Sequence, residues 1–126
     1  MAAYVAGWPV DLVVCSTARR ARATAKPVVE ALHCPVRFEA ELYAAERTGV
    51  IVELIGSLPT AVDTVMLVGH NPWIEQLTAL LCDGTSPLYP TAALGTVALA
   101  LDRWADVAPG RGTLVAHVTP SQLRRD

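Results

Sequence analysis

The sequence predicts an α/β fold of three layers, in which helices cover both faces of a mostly parallel sheet. Short apolar runs alternate with longer amphipathic segments, as strands and helices do in this class. The run 65–68 is apolar at every position, which is typical of a strand covered on both faces. The chain has 126 residues, of which 52% are hydrophobic, so it can bury a sizeable core. We therefore expect one domain over 1–126.

The first half of the chain is predicted to alternate helix and strand. We expect a short helix over 1–6 and a strand over 11–15, whose residues after Asp11 are apolar. Apolar residues at helical spacing predict a helix over 18–32. Pro27 is expected to kink or split that helix, because proline removes a backbone donor. A short edge strand is expected over 36–38.

The second half continues the alternation and ends in two strands. A helix is predicted to end near Gly56, since glycine is a common stop signal. The predicted elements are a helix over 43–57, a strand over 64–68, a helix over 72–82, and strands over 96–101 and 113–118.

The turn that follows the strand 64–68 places a histidine at the edge of the predicted sheet. Gly69 permits a tight turn, Asn71 is a favoured helix cap, and Pro72 suits the first helical position. His70 is thus expected at the carboxyl end of a buried strand, beside a helix N-terminus that attracts anions. Ligands bind at this edge in open α/β sheets, so His70 is a candidate for contact with phosphate.

A second strand-to-helix turn, after the strand 11–15, carries a cluster of arginines. Ser16 or Thr17 is expected to cap the following helix, whose opening turns contain Arg19, Arg20 and Arg22. Each cation there opposes the positive end of the helix dipole by roughly 0.3–1 kcal/mol. An anion in front of the turn would compensate. The alternative is that all three side chains point into water, where screening makes the penalty small.

If both strands are parallel neighbours, Arg20 and His70 converge on one pocket. The planar fork of arginine donates two parallel hydrogen bonds to a phosphoryl group, and a histidinium adds a further charged donor. Ser16 and Asn71 are predicted to be accessory donors. Thr24, one helical turn after Arg20, is placed to orient it.

These residues resemble a known family. The segments STARRARAT at 16–24 and VGHNP at 68–72 resemble the histidine phosphatase superfamily, also called phosphoglycerate mutase-like, and within it the short phosphohistidine phosphatases of the SixA type. The resemblance extends over 41–45, 90–93 and 119–120. It implies hydrolysis of a phosphoramidate or phosphomonoester, on a phosphorylated protein or small molecule, through a phosphohistidine on the enzyme. The resemblance implies no metal and no cofactor.

The sequence departs from the family at one decisive point. The family opens with a strand ending in an Arg-His pair, whose histidine accepts the phosphoryl group. No such pair is present here, since His33 is predicted at a helix end and His117 in a late strand. We therefore expect a member without that first strand and catalytically inert, with unpaired sheet edges open to self-association. The alternative is a non-catalytic phosphate-binding module or partner subunit.

The remaining observations exclude other classes or leave weaker alternatives. The net charge of −2 gives no indication of a nucleic-acid surface, and no apolar run approaches the roughly 20 residues that cross a bilayer. Three cysteines without metal spacing indicate reduced thiols in the cytoplasm. Cysteine phosphatases have an arginine at a fixed spacing after the catalytic cysteine. Counted from Cys15, that position is 21, which is an alanine, so a cysteine phosphatase mechanism is disfavoured. Glu41 stays open as a leaving-group acid.

Overall fold

The structure is a computed structural model that describes residues 1–44 and 47–123. It contains two compact units. The first unit comprises Met1–Ala45 and Pro59–His70, and the second comprises Glu46–Leu58 and Asn71–Asp126. Each unit is described by itself, and the single domain expected over 1–126 stays a prediction. In the described part of the chain, no helix is both long and apolar enough to span a bilayer.

The first unit contains a parallel sheet of three strands. Its strands are β1 (Leu12–Ser16), β2 (Val36–Glu39) and β3 (Val65–Val68), in the order β2-β1-β3. The central strand is the most buried, since its last four residues all have negligible exposure. All three strands agree with the sequence predictions to within a residue. The α/β class with a parallel sheet is confirmed.

Three helices belong to the first unit, namely α1 (Ala2–Val5), α2 (Arg19–Leu32) and α3 (Ala40–Ala44). Helix α2 buries Ala21, Ala25 and Val28 at helical spacing, and the small alanines pack beside Cys15 of β1. The helix continues through Pro27, so the expected split was wrong. It ends at Leu32, and the next residue, His33, adopts a left-handed conformation at the helix end, where the sequence had placed it.

The second unit combines helices with an antiparallel strand pair. Its elements are α4 (Thr48–Gly56), α5 (Trp73–Leu81), β4 (Leu94–Leu99), a 3-10 turn (Trp104–Asp106), β5 (Gly112–Val118) and α6 (Pro120–Leu123). Strands β4 and β5 pair with each other from Leu94↔Val118 to Leu99↔Gly112. Their connection contains no crossover helix, and parallel pairing usually needs one. Antiparallel pairing is the arrangement that a connection without such a helix favours.

Two predicted elements differ from the structure. The helix expected over 43–57 is divided, because α3 ends at Ala44 and α4 begins at Thr48 after an extended Arg47. Residues 45 and 46, which that prediction included, lie outside the described residues, and residue 45 is also the last residue of the segment 41–45. Gly56 is the last residue of α4, as expected. The late strands begin one or two residues earlier than predicted.

Candidate active site

The carboxyl ends of β1 and β3 lie side by side in the first unit. The two strands pair in register up to Cys15↔Val68, so Ser16 and His70 leave the sheet at the same edge. Ser16 is fully buried, and its Oγ is 3.4 Å from His70 Nε2. The two turns that the sequence singled out are therefore joined by a direct polar contact.

The Ser16 hydroxyl has a second partner in the same turn. Its oxygen accepts a hydrogen bond of 3.2 Å from the backbone N–H of Ala18. The predicted cap was wrong in its position, because the N-cap residue is Ala18 and no side chain caps α2. Ser16 instead binds the amide just before the helix, which fixes the turn from which the arginines emerge. Thr17, the other predicted cap, lies in that turn.

Tyr43 is a neighbour of His70 that the sequence did not predict. Their ring centroids are 5.8 Å apart in an edge-on arrangement, and Tyr43 is 61% exposed on α3. The His70 ring thus contacts the buried Ser16 hydroxyl through Nε2 and lies beside the exposed ring of Tyr43. The sequence feature that could have indicated this contact is the aromatic residue within the segment 41–45. Tyr43 lies on α3, which directly follows the end of β2.

The arginines lie on the first turn of α2, which carries no acidic residue in that turn. Arg19, Arg20 and Arg22 are all exposed. Arg22 packs over the Phe38 ring, with its guanidinium carbon 5.6 Å from the ring centre. The exposure of Arg20 agrees with the alternative of a side chain in water and equally leaves it accessible to an anion. Its convergence with His70 stays a prediction, as does its orientation by Thr24.

Asn71 lies in the second unit. The sequence predicted it as the helix cap, and in the structure it lies one residue before the cap. Helix α5 begins at Trp73, so Pro72 is the N-cap residue, and the Asn71–Pro72 bond is cis. Asn71 Oδ1 accepts the Glu75 N–H at 3.3 Å, while its Nδ2 donates to Glu75 Oε2 at 2.7 Å and to the Tyr89 carbonyl at 3.1 Å. Both amide hydrogens are engaged. Asn71 thus holds its own loop, and its role as an accessory phosphate donor stays a prediction.

Cys15 does not have the environment of a nucleophile. The side chain is fully buried in β1, and its Sγ donates to the Ser16 carbonyl at 3.2 Å. Burial raises the pKa of the Cys15 thiol, although the charge of Arg22 opposes that rise. The thiolate is disfavoured, and Cys15 acts as a core residue.

The remaining candidate residues are His117 and Glu41. His117 lies in β5, as predicted, with its Nε2 2.9 Å from the Leu88 carbonyl and its ring against Tyr89. Glu41 is exposed on α3. Among residues 1–44 and 47–123, no group of three or more histidine, cysteine, aspartate or glutamate residues is placed to hold a metal ion.

Comparison with known proteins places this chain in a family. Residues 1–48 match the model of the histidine phosphatase superfamily (branch 1). The chain is similar to a SixA structure from Nakamurella multipartitia, with a TM-score of 0.81 and 26% identity over 94% of this chain and 77% of that one. It is also similar to a structure of the protein histidine phosphatase SixA complexed with tungstate, with a TM-score of 0.80 and 26% identity over 97% of this chain and 78% of that one. The chain belongs to the histidine phosphatase superfamily.

Two mycobacterial proteins are similar in sequence over most of the chain. An uncharacterized protein of Mycobacterium tuberculosis is 35% identical over 121 residues, which cover 88% of this chain and 74% of that protein. An uncharacterized protein of Mycobacterium leprae is 31% identical over 134 residues, which cover 94% and 81%. Within the superfamily, the two structural matches make this chain a SixA-type histidine phosphatase family member.

Proposed function

We propose that the carboxyl edge of β1 and β3 binds the phosphoryl group of a phosphohistidine or phosphomonoester. The observation that carries this proposal is the contact of 3.4 Å between Ser16 Oγ and His70 Nε2. It joins the turn before α2 to the turn after β3. A helix N-terminus such as that of α2 attracts anions through its free N–H groups.

Each of three side chains has a distinct part in this proposal. Arg20, on the first turn of α2, clamps two phosphoryl oxygens with its planar fork. His70 donates to a third oxygen as negative charge spreads over the group. Ser16 holds the His70 ring in place, since a buried hydroxyl cannot exchange its partners for water. Asn71 stays outside this set because its amide is already engaged.

One of the two similar SixA structures supports a phosphoryl group as the ligand. That protein is complexed with tungstate, which is a tetrahedral oxyanion like phosphate. We propose a phosphorylated protein as the first candidate substrate and a small phosphorylated molecule as the second. The location that we propose is the reducing cytoplasm, and three free cysteines support it.

We further propose that the 126-residue polypeptide binds phosphate without turning it over. The family's mechanism needs a histidine that accepts the phosphoryl group, and the resemblance places it in an Arg-His pair that these residues do not contain. Of the three histidines, His33 ends a helix and His117 is engaged with Leu88. His70 remains as the stabilising residue.

The experiment separates binding from turnover. The purified polypeptide is titrated with inorganic phosphate while backbone amide resonances are followed by NMR, and is then incubated with a phosphohistidine-carrying protein. We expect saturable shifts at the turns after β1 and β3, and no phosphate release above background. Release that depends on Arg20 would overturn the inactivity, and an absence of saturable shifts would overturn the binding site.

Binding without turnover would also fit a non-catalytic sensor or partner subunit. The Ser16–His70 contact supports that second candidate, because it joins the two turns into one site. A sensor is expected to bind the phosphorylated protein much more tightly than it binds free phosphate. Equal affinities would leave only a residual anion site.

Self-association through a sheet edge is a separate proposal. Strand β3 pairs with β1 on one side, and among the described residues no strand pairs with its other side. An unpaired apolar edge is a template for another strand. Sedimentation velocity over a range of concentrations is expected to show dimers or larger species. A monomer at every concentration would contradict the proposal.

A further inference from the structure

A groove separate from the Ser16–His70 contact lies between α2 and β2 of the first unit. Its volume is about 680 Å³. The lining residues that determine its chemistry are Arg19, Arg22, Lys26 and Glu30 of α2, and Val36 and Phe38 of β2. The groove is therefore bounded by a charged helix face and an apolar strand face.

The helix face carries three cations in a row. Arg19, Arg22 and Lys26 are spaced by three and four residues, so they share one face of α2, and all three are exposed. Like charges at these spacings repel and oppose helix formation. The first turn of α2 contains no acidic residue to offset the two arginines. An anionic occupant would relieve both penalties.

The strand face supplies an apolar wall. Phe38 is 48% exposed, and Val36 lies two positions away on the same face of β2. The Arg22 guanidinium carbon is 5.6 Å from the centre of the Phe38 ring, so the cation and the aromatic ring form one continuous surface. A bare inorganic anion would use the cations and leave the ring exposed. The occupant that uses both walls carries acidic and apolar side chains together.

We propose that this groove binds an acidic peptide segment with an apolar side chain, supplied by a protein partner. The chain's net charge of −2 and the presence of Glu30 in the groove favour a short acidic peptide over a nucleic acid. Glu30 lies at the opposite end of the row from Arg19, so the acidic residues of the peptide lie toward the start of α2.

The position of the groove links it to the phosphate site. Thr17 lines the groove and directly follows Ser16, so the cationic end opens beside the turn that contacts His70. If the peptide belongs to the phosphorylated protein, its acidic residues lie close in space to the phosphorylated one. That identification of the partner rests on the proposed function, whereas the binding of the peptide does not.

The test measures the anisotropy of a short fluorescein-labelled peptide rich in glutamate with a central leucine. We expect saturable binding that weakens about twofold to fivefold in Arg22→Glu and in Lys26→Glu, the upper part of the range for an exposed ion pair. Phe38→Ala is expected to weaken the binding of this peptide and to leave the binding of a leucine-free peptide unchanged. Arg111→Glu makes the same charge change at an exposed residue outside the groove and is expected to have no effect.

Three results would overturn the proposal. They are the absence of saturable binding, an equal response to Lys26→Glu and Arg111→Glu, and tighter binding of a single-stranded RNA of equal charge. Circular dichroism confirms that each variant is folded, and Lys26→Ala repeats the test without a reversed charge. Arg20→Ala separates the two sites, because it is expected to weaken phosphate binding and to keep peptide affinity. If wild-type protein binds peptide and not phosphate, the groove stands and the proposed function falls.

Discussion

At the scale of single residues, the Ser16 hydroxyl connects the fold to the candidate chemistry. It accepts the Ala18 N–H at 3.2 Å and contacts His70 Nε2 at 3.4 Å, from a position with no solvent exposure. Which of the two groups supplies the hydrogen between Ser16 and His70 depends on the imidazole tautomer. In either case, loss of the hydroxyl leaves a buried amide without this partner and frees the His70 ring.

The first prediction concerns Ser16→Ala. We expect the free energy of unfolding to fall by about 1–3 kcal/mol, because a buried N–H loses its acceptor. Phosphate affinity is expected to fall with it, since His70 is no longer held. Urea denaturation and phosphate titration measure the two effects.

Ser57→Ala is the matched control for this prediction. The Ser57 hydroxyl donates to the Leu54 carbonyl at 2.7 Å, and the residue is exposed. We expect a loss below about 1 kcal/mol, since water replaces the partner, and no change in phosphate affinity. Equal effects of the two substitutions would contradict the role given to Ser16.

At the scale of elements, the carboxylate of Asp11 joins the segments that lead into β1 and β3. Its Oδ2 accepts the backbone N–H groups of Asp63 at 2.9 Å and Thr64 at 3.0 Å. The backbone hydrogen bond from Thr64 is the largest cause that lowers the pKa of Asp11 from its ordinary value of 3.8, and the one from Asp63 is the next largest. A carboxyl with a lowered pKa stabilises the folded state above the ordinary value, and that contribution is lost as the pH falls through the lowered pKa.

The second prediction follows from this direction. Asp11→Asn is expected to be less stable than the wild type at neutral pH, and the difference is expected to shrink as the pH falls below 3.8. Urea unfolding at several pH values measures it. A difference that is constant with pH would show that the charge of Asp11 contributes nothing.

The pairing of β4 with β5 requires a residue without a side chain at its edge. A methyl group at Gly112 would lie 2.7 Å from Val97 Cγ1 and 2.8 Å from the Leu81 carbonyl oxygen. Such overlap forces either the strand or the end of α5 to move. Sequence patterns predicted both strands and did not predict this close approach.

The third prediction compares two glycine-to-alanine changes. Gly112→Ala is expected to lower the free energy of unfolding by about 1–3 kcal/mol through overpacking. Gly49→Ala, on α4 with open space around it, is expected to raise it by up to about 1 kcal/mol, because alanine favours the helix. Thermal or urea unfolding of both variants provides the comparison. The same sign for both would contradict the packing described for β5.

At the scale of the whole molecule, the sequence predicted the first unit better than the second. The runs 12–15 and 65–68 are apolar and short, as is typical of strands. Parallel pairing of these strands then brought Ser16 and His70 to one edge. The pairing of β4 with β5 is a tertiary choice that alternation alone does not determine. Tyr43 and the engagement of Asn71 with Tyr89 depend on side-chain geometry between distant segments, which no local pattern encodes.

The most direct test is a double-mutant cycle on phosphate affinity with Arg20→Ala, His70→Ala and the combined variant. If both side chains hold the same phosphoryl group, we expect each single change to weaken binding and the pair to be non-additive by about 0.5 kcal/mol or more. Titration calorimetry with inorganic phosphate gives the four dissociation constants. Strictly additive losses, or wild-type affinity in either single variant, would show that Arg20 and His70 do not share an anion.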